Sequence, residues 1–291
     1  MVSVIIPHYN NGALLPEAVA SATAQTWQDL EIIISDDGSD PDCEPVLNSF
    51  TDPRITVLRN PHGGVSAARN TAIAAARGKY IVSLDSDDKM EPSFIEKGLR
   101  HMEADADLGL VTCRRRYFGS SNNELRHRDM TAENILLGKA HSGGFGMFRK
   151  SDWEKTAGYD TNLQIFEDWD FWLQLLALGK KFKRIEEVLY LYREHPVSTI
   201  VKYNHTGGGY VHFTEFDPRL YLFQKHQALY LKYPELLVSK IFGTPEKPRH
   251  IPARRRKYRL TLLLDKIPFI RRLFAGRIDK ARQKLEYLSH F

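Results

Sequence analysis

Three aspartates follow one apolar run, since Asp85, Asp87 and Asp88 stand directly after "YIVSL". Like charges this close repel one another, so something must offset the repulsion. Mg²⁺ and Mn²⁺ prefer oxygen ligands and often take one or two carboxylates together with substrate phosphates. The alternative is that Asp87 or Asp88 caps the helix predicted after them, where an acid favours the helix dipole. Because capping does not need three acids, the group is predicted to bind a metal ion or a ligand.

Three further polar clusters could take part in the same chemistry. Residues 7–10 and 36–39 each follow a short apolar run, and the acids at 167–168 open a segment with helical spacing. A positioned carboxylate can remove a proton from an attacking hydroxyl. Each cluster has a plainer interpretation when taken alone, as a turn in "SDDGS" or an acidic helix N-terminus in "EDWD". Arg69, on an alanine-rich helix, could be solvated or could reach a base or a phosphate.

Alternating strands and helices would position these clusters. Short apolar runs bounded by turn residues predict strands, and apolar residues at helical spacing predict helices between them. This alternation indicates a mostly parallel sheet, whose ligands bind outside the carboxyl ends of the strands. We therefore expect the clusters at 7–10, 36–39 and 85–88 on one edge of the sheet. Predicted strands occupy 2–10, 30–40, 53–60, 79–88, 108–118 and 182–195, and predicted helices 14–26, 64–77, 91–105 and 167–179.

The composition is that of an ordinary globular protein. Of 291 residues, 42% are hydrophobic and 26% are charged, as in most soluble domains. No apolar run approaches the roughly 18 residues that span a bilayer, and the first residues lack the features of a signal peptide. Two isolated cysteines, Cys43 and Cys113, do not indicate a disulfide framework and suit a reducing cytoplasm.

Charge is distributed unevenly along the chain. Residues 247–284 hold fourteen Lys or Arg and two Asp, a net of +12, so the remainder of a chain of net +5 carries −7. Two interpretations of this basic, amphipathic segment stay open: a helix pair lying on anionic lipid, or a helical cap with a solvated basic face. Nucleic-acid binding is disfavoured, because no aromatic stacking motif accompanies the arginines.

Six motif segments occur in order over roughly residues 1–198: "SVIIPHYN", "EIIISDDGSD", "GGVSAARNTAIAAARGKYIVSLDSDD", "FRKSDWEKTAGYD", "EDWDFWLQL" and "YREHPVS". Together they resemble the family 2 glycosyltransferases of the GT-A fold. The resemblance implies an α/β fold, a Rossmann-like mixed and mostly parallel sheet flanked by helices. We expect a catalytic domain at 1–200, with a nucleotide-binding half at 1–115 and an acceptor half at 116–200, and a basic helical extension at 201–291.

The resemblance assigns nucleotide-binding roles to the first half of the chain. Tyr9 resembles the aromatic residue that stacks on the base, in a loop shaped by Pro7. Asp37 resembles the acid that hydrogen-bonds the base, typically uracil N3–H, and Arg69 resembles an arginine that contacts the nucleotide. His8 and Asn10 lie in the variable part of the first loop and could affect base contacts.

It also assigns the metal site. Asp85, with Ser86, resembles the donor-binding start of a D-x-D motif, and Asp87 resembles the ligand that holds Mn²⁺ or Mg²⁺ against the diphosphate. His195, in "YREH", resembles a histidine that closes over the diphosphate and sometimes reaches the metal. The implied cofactor is therefore a divalent cation.

Asp168 resembles the catalytic base, with Glu167 beside it. One base on the face opposite the leaving group predicts direct displacement with inversion. The segment "HSGGFGMF" is expected to border the acceptor through Gly144 and Phe145, because glycine permits close approach and aromatic faces suit sugar rings. A bulge in a mixed strand is the equal alternative. Trp169 is expected mainly to pack, although it could face the acceptor.

These assignments predict an inverting glycosyltransferase that moves a sugar from a nucleotide-diphosphate donor, with UDP as the default, to a glycan or lipid-linked acceptor. Bacterial surface polysaccharide synthesis in the cytoplasm, with possible peripheral contact with the inner membrane, fits the basic tail. A sugar-phosphate nucleotidylyltransferase would carry a basic glycine-rich loop after the first strand, which "PHYNNGALL" lacks. A non-catalytic nucleotide-sugar- or carbohydrate-binding module would not need Asp85, Asp87 and Asp168 together.

Overall fold

The fold comes from a computed structural model that describes residues 1–125, 128–140, 143–194, 218–233 and 236. The chain divides into two compact units between Pro218 and Arg219. The first unit has a sheet flanked by helices. Its strands are β1 (Val2–His8), β2 (Leu30–Asp36), β3 (Ile55–Arg59), β4 (Tyr80–Ser83), β5 (Lys89–Met90), β6 (Leu108–Gly119), β7 (Gly146–Arg149) and β8 (Lys181–Glu194). Its helices are α1 (Leu15–Thr23), α2 (Glu44–Leu47), α3 (Val65–Ala75), α4 (Phe94–Ala104), α5 (Ala132–Leu136), α6 (Lys150–Trp153) and α7 (Glu167–Ala177), with a 3₁₀ turn at Pro41–Cys43.

The sheet is mixed, with the order β3-β2-β1-β4-β7-β6-β8-β5. Strands β3, β2, β1 and β4 are parallel neighbours. Strand β7 pairs antiparallel with both β4 and β6, β6 pairs parallel with β8, and β5 pairs antiparallel with β8. In the register of β1, His8 lies opposite Asp36 of β2 and Ile5 lies opposite Ser83 of β4. The carboxyl ends of β1, β2 and β4 therefore meet at one edge, as the alternating pattern predicts.

Helices cover the sheet and explain its sequence pattern. Every residue of β1, β2 and β4 is buried. Because both faces of these parallel strands are covered, their sequences are nearly continuous apolar runs. Helix α3 lies against β1 and β2, α1 against β2 and β5, α4 against β6, β7 and β8, and α7 against β6. Buried apolar side chains of the strands, α1 and α4 form a hydrophobic core that runs from β1 to β8.

The segment after β4 differs from the sequence prediction. The strand ends at Ser83, and a turn carries the acids to the short strand β5 before helix α4 begins at Phe94. The cap of that helix is Ser93, which makes no side-chain capping bond. Asp87 and Asp88 therefore do not cap α4, because a pair of strand residues and a turn separate them from it.

The helix predicted at 64–77 is followed by Gly78, a residue typical of helix ends. In the structure α3 already ends at Ala75, and Gly78 lies in the link to β4. Its N–H donates to Ser3 Oγ at 2.8 Å. A Cβ at this position would lie 2.5 Å from Ser3 Oγ and 2.6 Å from Ser3 N. Glycine is needed here because β1 passes so close.

We expect Gly78→Ala to destabilise the protein by about 2 kcal/mol, since overpacking against backbone typically costs 1–3 kcal/mol. For a unit of this size the melting temperature should fall by roughly 4–8 °C, measured by thermal unfolding. Gly12→Ala is the matched control, because its new methyl would meet the Val46 and Cys43 side chains at 3.1 and 3.4 Å. An equal loss in both variants would contradict the close-approach explanation.

The described part of the second unit is helical. Helix α8 spans Pro218–Lys225 and α9 spans Gln227–Leu231. The rings of Phe223 and Tyr230 lie 4.9 Å apart. Within the described ranges, none of the helices combines the length and apolar content that crossing a membrane requires. The basic segment at 247–284 lies outside the described residues.

Candidate active site

A cavity of about 290 Å³ opens at the edge where β1, β2 and β4 end. The three sequence clusters predicted to share an edge all contribute to it, together with the loop before α3. This placement follows from the parallel order β2-β1-β4. Its lining residues are Pro7, His8, Tyr9, Asn11, Asp37, His62, Gly64, Val65, Ala68, Asp85, Ser86 and Asp87.

Asp37 lines the cavity and is only 3% exposed. Its carboxylate accepts hydrogen bonds from the N–H groups of Gly63 at 2.9 Å and Gly64 at 2.8 Å. His62 Nδ1 lies 2.9 Å from the same carboxylate. The His62 ring stacks on Tyr9, with centroids 4.3 Å apart. A fixed carboxylate beside an exposed aromatic face can bind a flat, hydrogen-bonding ligand.

Arg69 joins the D-x-D segment to the start of helix α7. Its guanidinium donates to Asp85 Oδ1 at 2.8 Å and to Glu167 Oε1 at 2.7 Å. The guanidinium carbon also lies 5.3 Å from the centre of the Tyr159 ring. Burial opposes the charge of Arg69, but Asp85 and Glu167 outweigh it and raise the pKa of the guanidinium well above its usual value. One buried arginine thus holds together acids from two distant parts of the sequence.

Asp168 follows Glu167 at the start of α7 and accepts a hydrogen bond from the Trp169 N–H at 2.7 Å. Burial raises the pKa of Asp168, and the nearby Asp85 raises it further, while Arg69 and Arg115 act in the opposite direction. Burial also raises the pKa of Glu167, against the effect of Arg69. A carboxyl group with a raised pKa is a better proton acceptor than an ordinary aspartate.

The three acids of the D-x-D segment have different surroundings. Asp85, Asp87 and the buried Ser86 line the cavity. Asp88 does not: it is 1% exposed and accepts hydrogen bonds from the Tyr190 hydroxyl and from the Arg193 N–H. Burial, followed by repulsion from Asp87 and Asp85, raises the pKa of Asp88 well above its usual value.

No metal cluster is preassembled in the part of the chain that the structure describes. No three His, Cys, Asp or Glu side chains there are grouped to hold an ion. His195, which is also expected near the metal, lies outside the described residues. Two carboxylates, those of Asp85 and Asp87, share the cavity, and divalent cations often combine one or two carboxylates with substrate phosphates.

The three residues expected at the acceptor lie in different surroundings. Gly144 backs the Arg69 guanidinium so closely that a Cβ would lie 2.3 Å from its Nη2. Phe145 is fully buried, with its ring against Tyr190 at 3.9 Å and Phe94 at 4.5 Å. Because the core encloses this ring, it offers no face to a sugar, and we do not retain it as an acceptor contact. Trp169 is also buried and donates to the Ile135 carbonyl at 2.7 Å, so it packs.

Comparison with known families identifies the chain. The family model described as "Glycosyl transferase family 2" matches residues 3–169, which is more than half of the chain. The chain belongs to glycosyl transferase family 2. The family and the enzyme class predicted from the sequence, a glycosyltransferase, are confirmed.

Relatives of this family 2 chain include polysaccharide synthases. It is 31% identical over 77% of its length to the hyaluronan synthase of Pasteurella multocida, of which it covers 26%. It is 31% identical over 69% of its length to the chondroitin synthase of Escherichia coli, of which it covers 30%. It is 28% identical to the Escherichia coli "UDP-Glc:alpha-D-GlcNAc-diphosphoundecaprenol beta-1,3-glucosyltransferase WfaP", over 67% of this chain and 78% of that protein. The chain thus spans only about a quarter to a third of the length of the two synthases.

Solved structures support the predicted GT-A fold of this family 2 glycosyltransferase. Residues 1–349 of S. aureus TarS in complex with UDP-GlcNAc superpose with a TM-score of 0.60 at 15% identity, covering 99% of this chain and 91% of that one. The complex with UDP gives a TM-score of 0.59 at 14% identity. The mixed, mostly parallel sheet flanked by helices is therefore confirmed as the fold.

Sequence reasoning on this family 2 chain did not find His62, and it placed His8 only in a variable loop that could affect base contacts. His62 contacts both Tyr9 and Asp37, yet a histidine between proline and glycine in a loop carries no distinguishing pattern. The ring of His8 is buried, and neither of its nitrogens has a hydrogen-bond partner among the described residues. Burial lowers the pKa of His8, against the effect of Asp36.

Proposed function

We propose that this enzyme transfers a sugar from a nucleotide-diphosphate donor to an acceptor hydroxyl, with inversion at the anomeric carbon. The observation that carries the proposal is the Arg69 bridge, with hydrogen bonds of 2.8 Å to Asp85 and 2.7 Å to Glu167. Without that bridge, a donor site at the strand ends and a base on α7 would be separate features. With it, the start of α7 is tied to the D-x-D segment, and Asp168, next to Glu167, is close enough to Asp85 for that charge to raise its pKa.

The donor is proposed to be a UDP-sugar. Tyr9 would stack on the uracil, and Asp37 would accept from uracil N3–H through a lone pair that Gly63 and Gly64 leave available. Pro7 shapes this end of the cavity, and Arg69, Asp85 and Ser86 would contact the rest of the nucleotide and the sugar. Because the His62 ring stacks on Tyr9 and contacts Asp37, it lies where a base would bind.

Mn²⁺ or Mg²⁺ is the proposed cofactor, held by Asp87 and, from outside the described residues, His195. The cavity fits such an ion because two carboxylates, with oxygen ligands that hard cations prefer, line it. When bound, the ion would neutralise the charge of the departing diphosphate. Asp85 shares its carboxylate with Arg69 and so would face the donor more than the ion.

Asp168 is proposed as the base. Its carboxylate would take the proton of the acceptor hydroxyl as that oxygen forms a bond to the anomeric carbon, and the bond to the diphosphate would break with the electron pair leaving on the diphosphate. Attack from the side opposite the leaving group gives inversion. Nearby carboxylates would stabilise the positive charge that develops on the sugar, as in glycoside hydrolysis. Glu167, bound to Arg69, would hold the helix start in place.

The acceptor is proposed to be a glycan or a lipid-linked sugar in bacterial surface polysaccharide synthesis. WfaP, by its name, acts on a diphosphoundecaprenol-linked sugar, and the two synthases bear the names of polysaccharides. Gly144 and the residues near Asp168 would border the acceptor. We further propose a catalytic domain at 1–200 and a basic extension at 201–291. The extension could contact anionic lipid at the cytoplasmic face of a membrane, and we assign it no role in binding nucleic acid.

Measurement of UDP release tests this function. Wild-type protein is incubated with a panel of UDP-, dTDP- and GDP-sugars, with and without Mn²⁺, and with oligosaccharide or lipid-linked acceptors. We expect one nucleotide sugar to raise the melting temperature, since a ligand that binds only the native state stabilises it. The same donor should release its nucleotide in an Mn²⁺-dependent way. Stabilisation with no release under any condition would indicate a binding module, and no stabilisation by any donor would contradict the proposal.

A further inference from the structure

The end of strand β8 makes hydrogen bonds to the D-x-D segment through residues that do not line the cavity. The Arg193 side chain donates from Nε to the Asp87 carbonyl at 2.8 Å, and the Arg193 backbone N–H donates to Asp88 Oδ1 at 2.7 Å. The Tyr190 hydroxyl donates to the other oxygen of Asp88. Both Tyr190 and Asp88 are 1% exposed. Three hydrogen bonds from one strand thus converge on two consecutive residues.

The same strand also holds the residues that follow. Met90 of β5 pairs with Tyr190, and Lys89 pairs with Leu191. On the other side of the turn, Arg69 binds Asp85. The segment from Asp85 to Met90 is therefore anchored before and after Asp87. Asp87 itself lies between the two anchors and lines the cavity.

We propose that Arg193 and Asp88 are positioning residues, which fix the turn so that Asp87 presents its carboxylate to the cation and diphosphate of the donor. The inference rests on the proposed function, because it assigns these two residues to the same donor site. It also answers how three acids can crowd four positions. Asp88 turns away from the other two carboxylates, into the core, where Tyr190 and Arg193 satisfy its oxygens.

A comparison within the structure separates this role from ordinary surface packing. Arg193 and Lys89 both lie over the Phe118 ring, at 4.3 and 4.4 Å from its centre. Both also pair with the Glu17 carboxylate, each at 3.1 Å. Among the described contacts of these two side chains, only that of Arg193 reaches the backbone of the D-x-D segment, at the Asp87 carbonyl. Lys89→Met is therefore a matched control for Arg193→Met, since methionine keeps an apolar stem over Phe118 in both variants.

The experiment compares two ligands that share a base and a ribose. Calorimetry gives the Kd of UDP in the presence of Mn²⁺, and ligand-detected NMR gives the Kd of uridine without metal. For Arg193→Met we expect the Kd of UDP with Mn²⁺ to rise about tenfold, the factor that one lost charge-assisted hydrogen bond supplies. The Kd of uridine should stay within about twofold of wild type, because Tyr9 and Asp37 are untouched. Lys89→Met should change neither value by more than about twofold.

Tyr190→Phe is the second variant, in case Arg193→Met does not fold. It removes one donor to Asp88 and keeps the ring stacked on Phe145, so a smaller rise in the Kd of UDP with Mn²⁺ and no change for uridine are expected. The decisive value is the Kd of UDP with Mn²⁺ in Arg193→Met, or in Tyr190→Phe if only that variant folds. If this Kd is unchanged from wild type, the positioning role is overturned and the proposed function still stands. A parallel loss of uridine binding would also overturn it, since the effect would then be structural. Wild-type protein that binds no UDP would instead refute the function on which the inference depends.

Discussion

Asp168→Asn should lower kcat for glycosyl transfer by about 10²–10⁴-fold, the range that positioned general bases contribute. Asparagine keeps the shape of the side chain and its acceptor oxygen for the Trp169 N–H, but it cannot take a proton from the acceptor. The KM for the donor should change little, because Asp168 is assigned to the acceptor side. Nucleotide release at saturating donor and acceptor measures kcat, and thermal unfolding checks that the variant is folded.

The matched control for this substitution is Asp170→Asn in the same helical turn. Asp170 is fully buried and its Oδ2 accepts from Gln174 Nε2 at 2.8 Å. We expect that substitution to reduce stability and to leave kcat within about fivefold of wild type, since Asp170 supports the helix and not the proton transfer. Equal losses of kcat at both positions would assign the effect of Asp168 to helix structure.

The pH dependence gives an independent check on the base. Burial, reinforced by Asp85, raises the pKa of Asp168, and a base works only when ionised. Activity should therefore fall as the pH is lowered through this raised pKa, and the acid limb of the kcat/KM profile should lie above the ordinary aspartate range near 3.9. The residual activity of Asp168→Asn should lack that limb. A limb that persists in the variant would belong to another group.

The sequence sufficed to place the cavity at one edge of the sheet, and the physical reason is local. Each of β1, β2 and β4 is a short buried run that ends in polar residues, and parallel strands bring such ends to one edge. Tyr9, Asp37 and Asp87 could therefore be assigned to one cavity before any coordinates were known. Strand periodicity and turn residues carry this information within about ten positions.

Contacts between distant segments could not be predicted in the same way. The roles of Asp88 and Arg193 depend on β8 pairing with the two-residue strand β5, and a strand that short has no periodicity to detect. The burial of Phe145 could not be predicted for the same reason. The segment "GGFGMF" fits a sugar-binding loop as well as the core strand that it partly forms. Only the order of β7 and β8 in the sheet distinguishes these alternatives.

Arg69→Met should cost about 3–5 kcal/mol of folding free energy, the range for removing one partner of a buried ion pair. Methionine approximates the length of the side chain but leaves Asp85 and Glu167 without their shared donor, which now bonds them at 2.8 and 2.7 Å. Arg69→Lys keeps the charge and should lose less. Denaturant unfolding at pH 7 measures the difference.

The loss should depend on pH in a defined direction. Burial already raises the pKa of Glu167, and Arg69 opposes that rise, so removing Arg69 should raise it further. A carboxyl group with a folded-state pKa above its unfolded value holds its proton in the native state, and the protein loses stability as the pH rises through that window. Arg69→Met should therefore be destabilised more at pH 8 than at pH 5. A larger loss at pH 5 would contradict the assigned pairing.

A double variant isolates the interaction. In Arg69→Met with Glu167→Gln one of the two uncompensated acids is gone, so part of the lost stability should return, by about 1–3 kcal/mol of coupling between contacting residues. Transfer activity should not return with it, because the Arg69 contact to Asp85 is still missing and the D-x-D segment has lost its anchor on that side. Recovery of stability together with activity would mean that Arg69 acts only as a structural counter-ion. Recovery of stability alone is the result expected if one arginine both balances charge in the core and joins the donor site to the base.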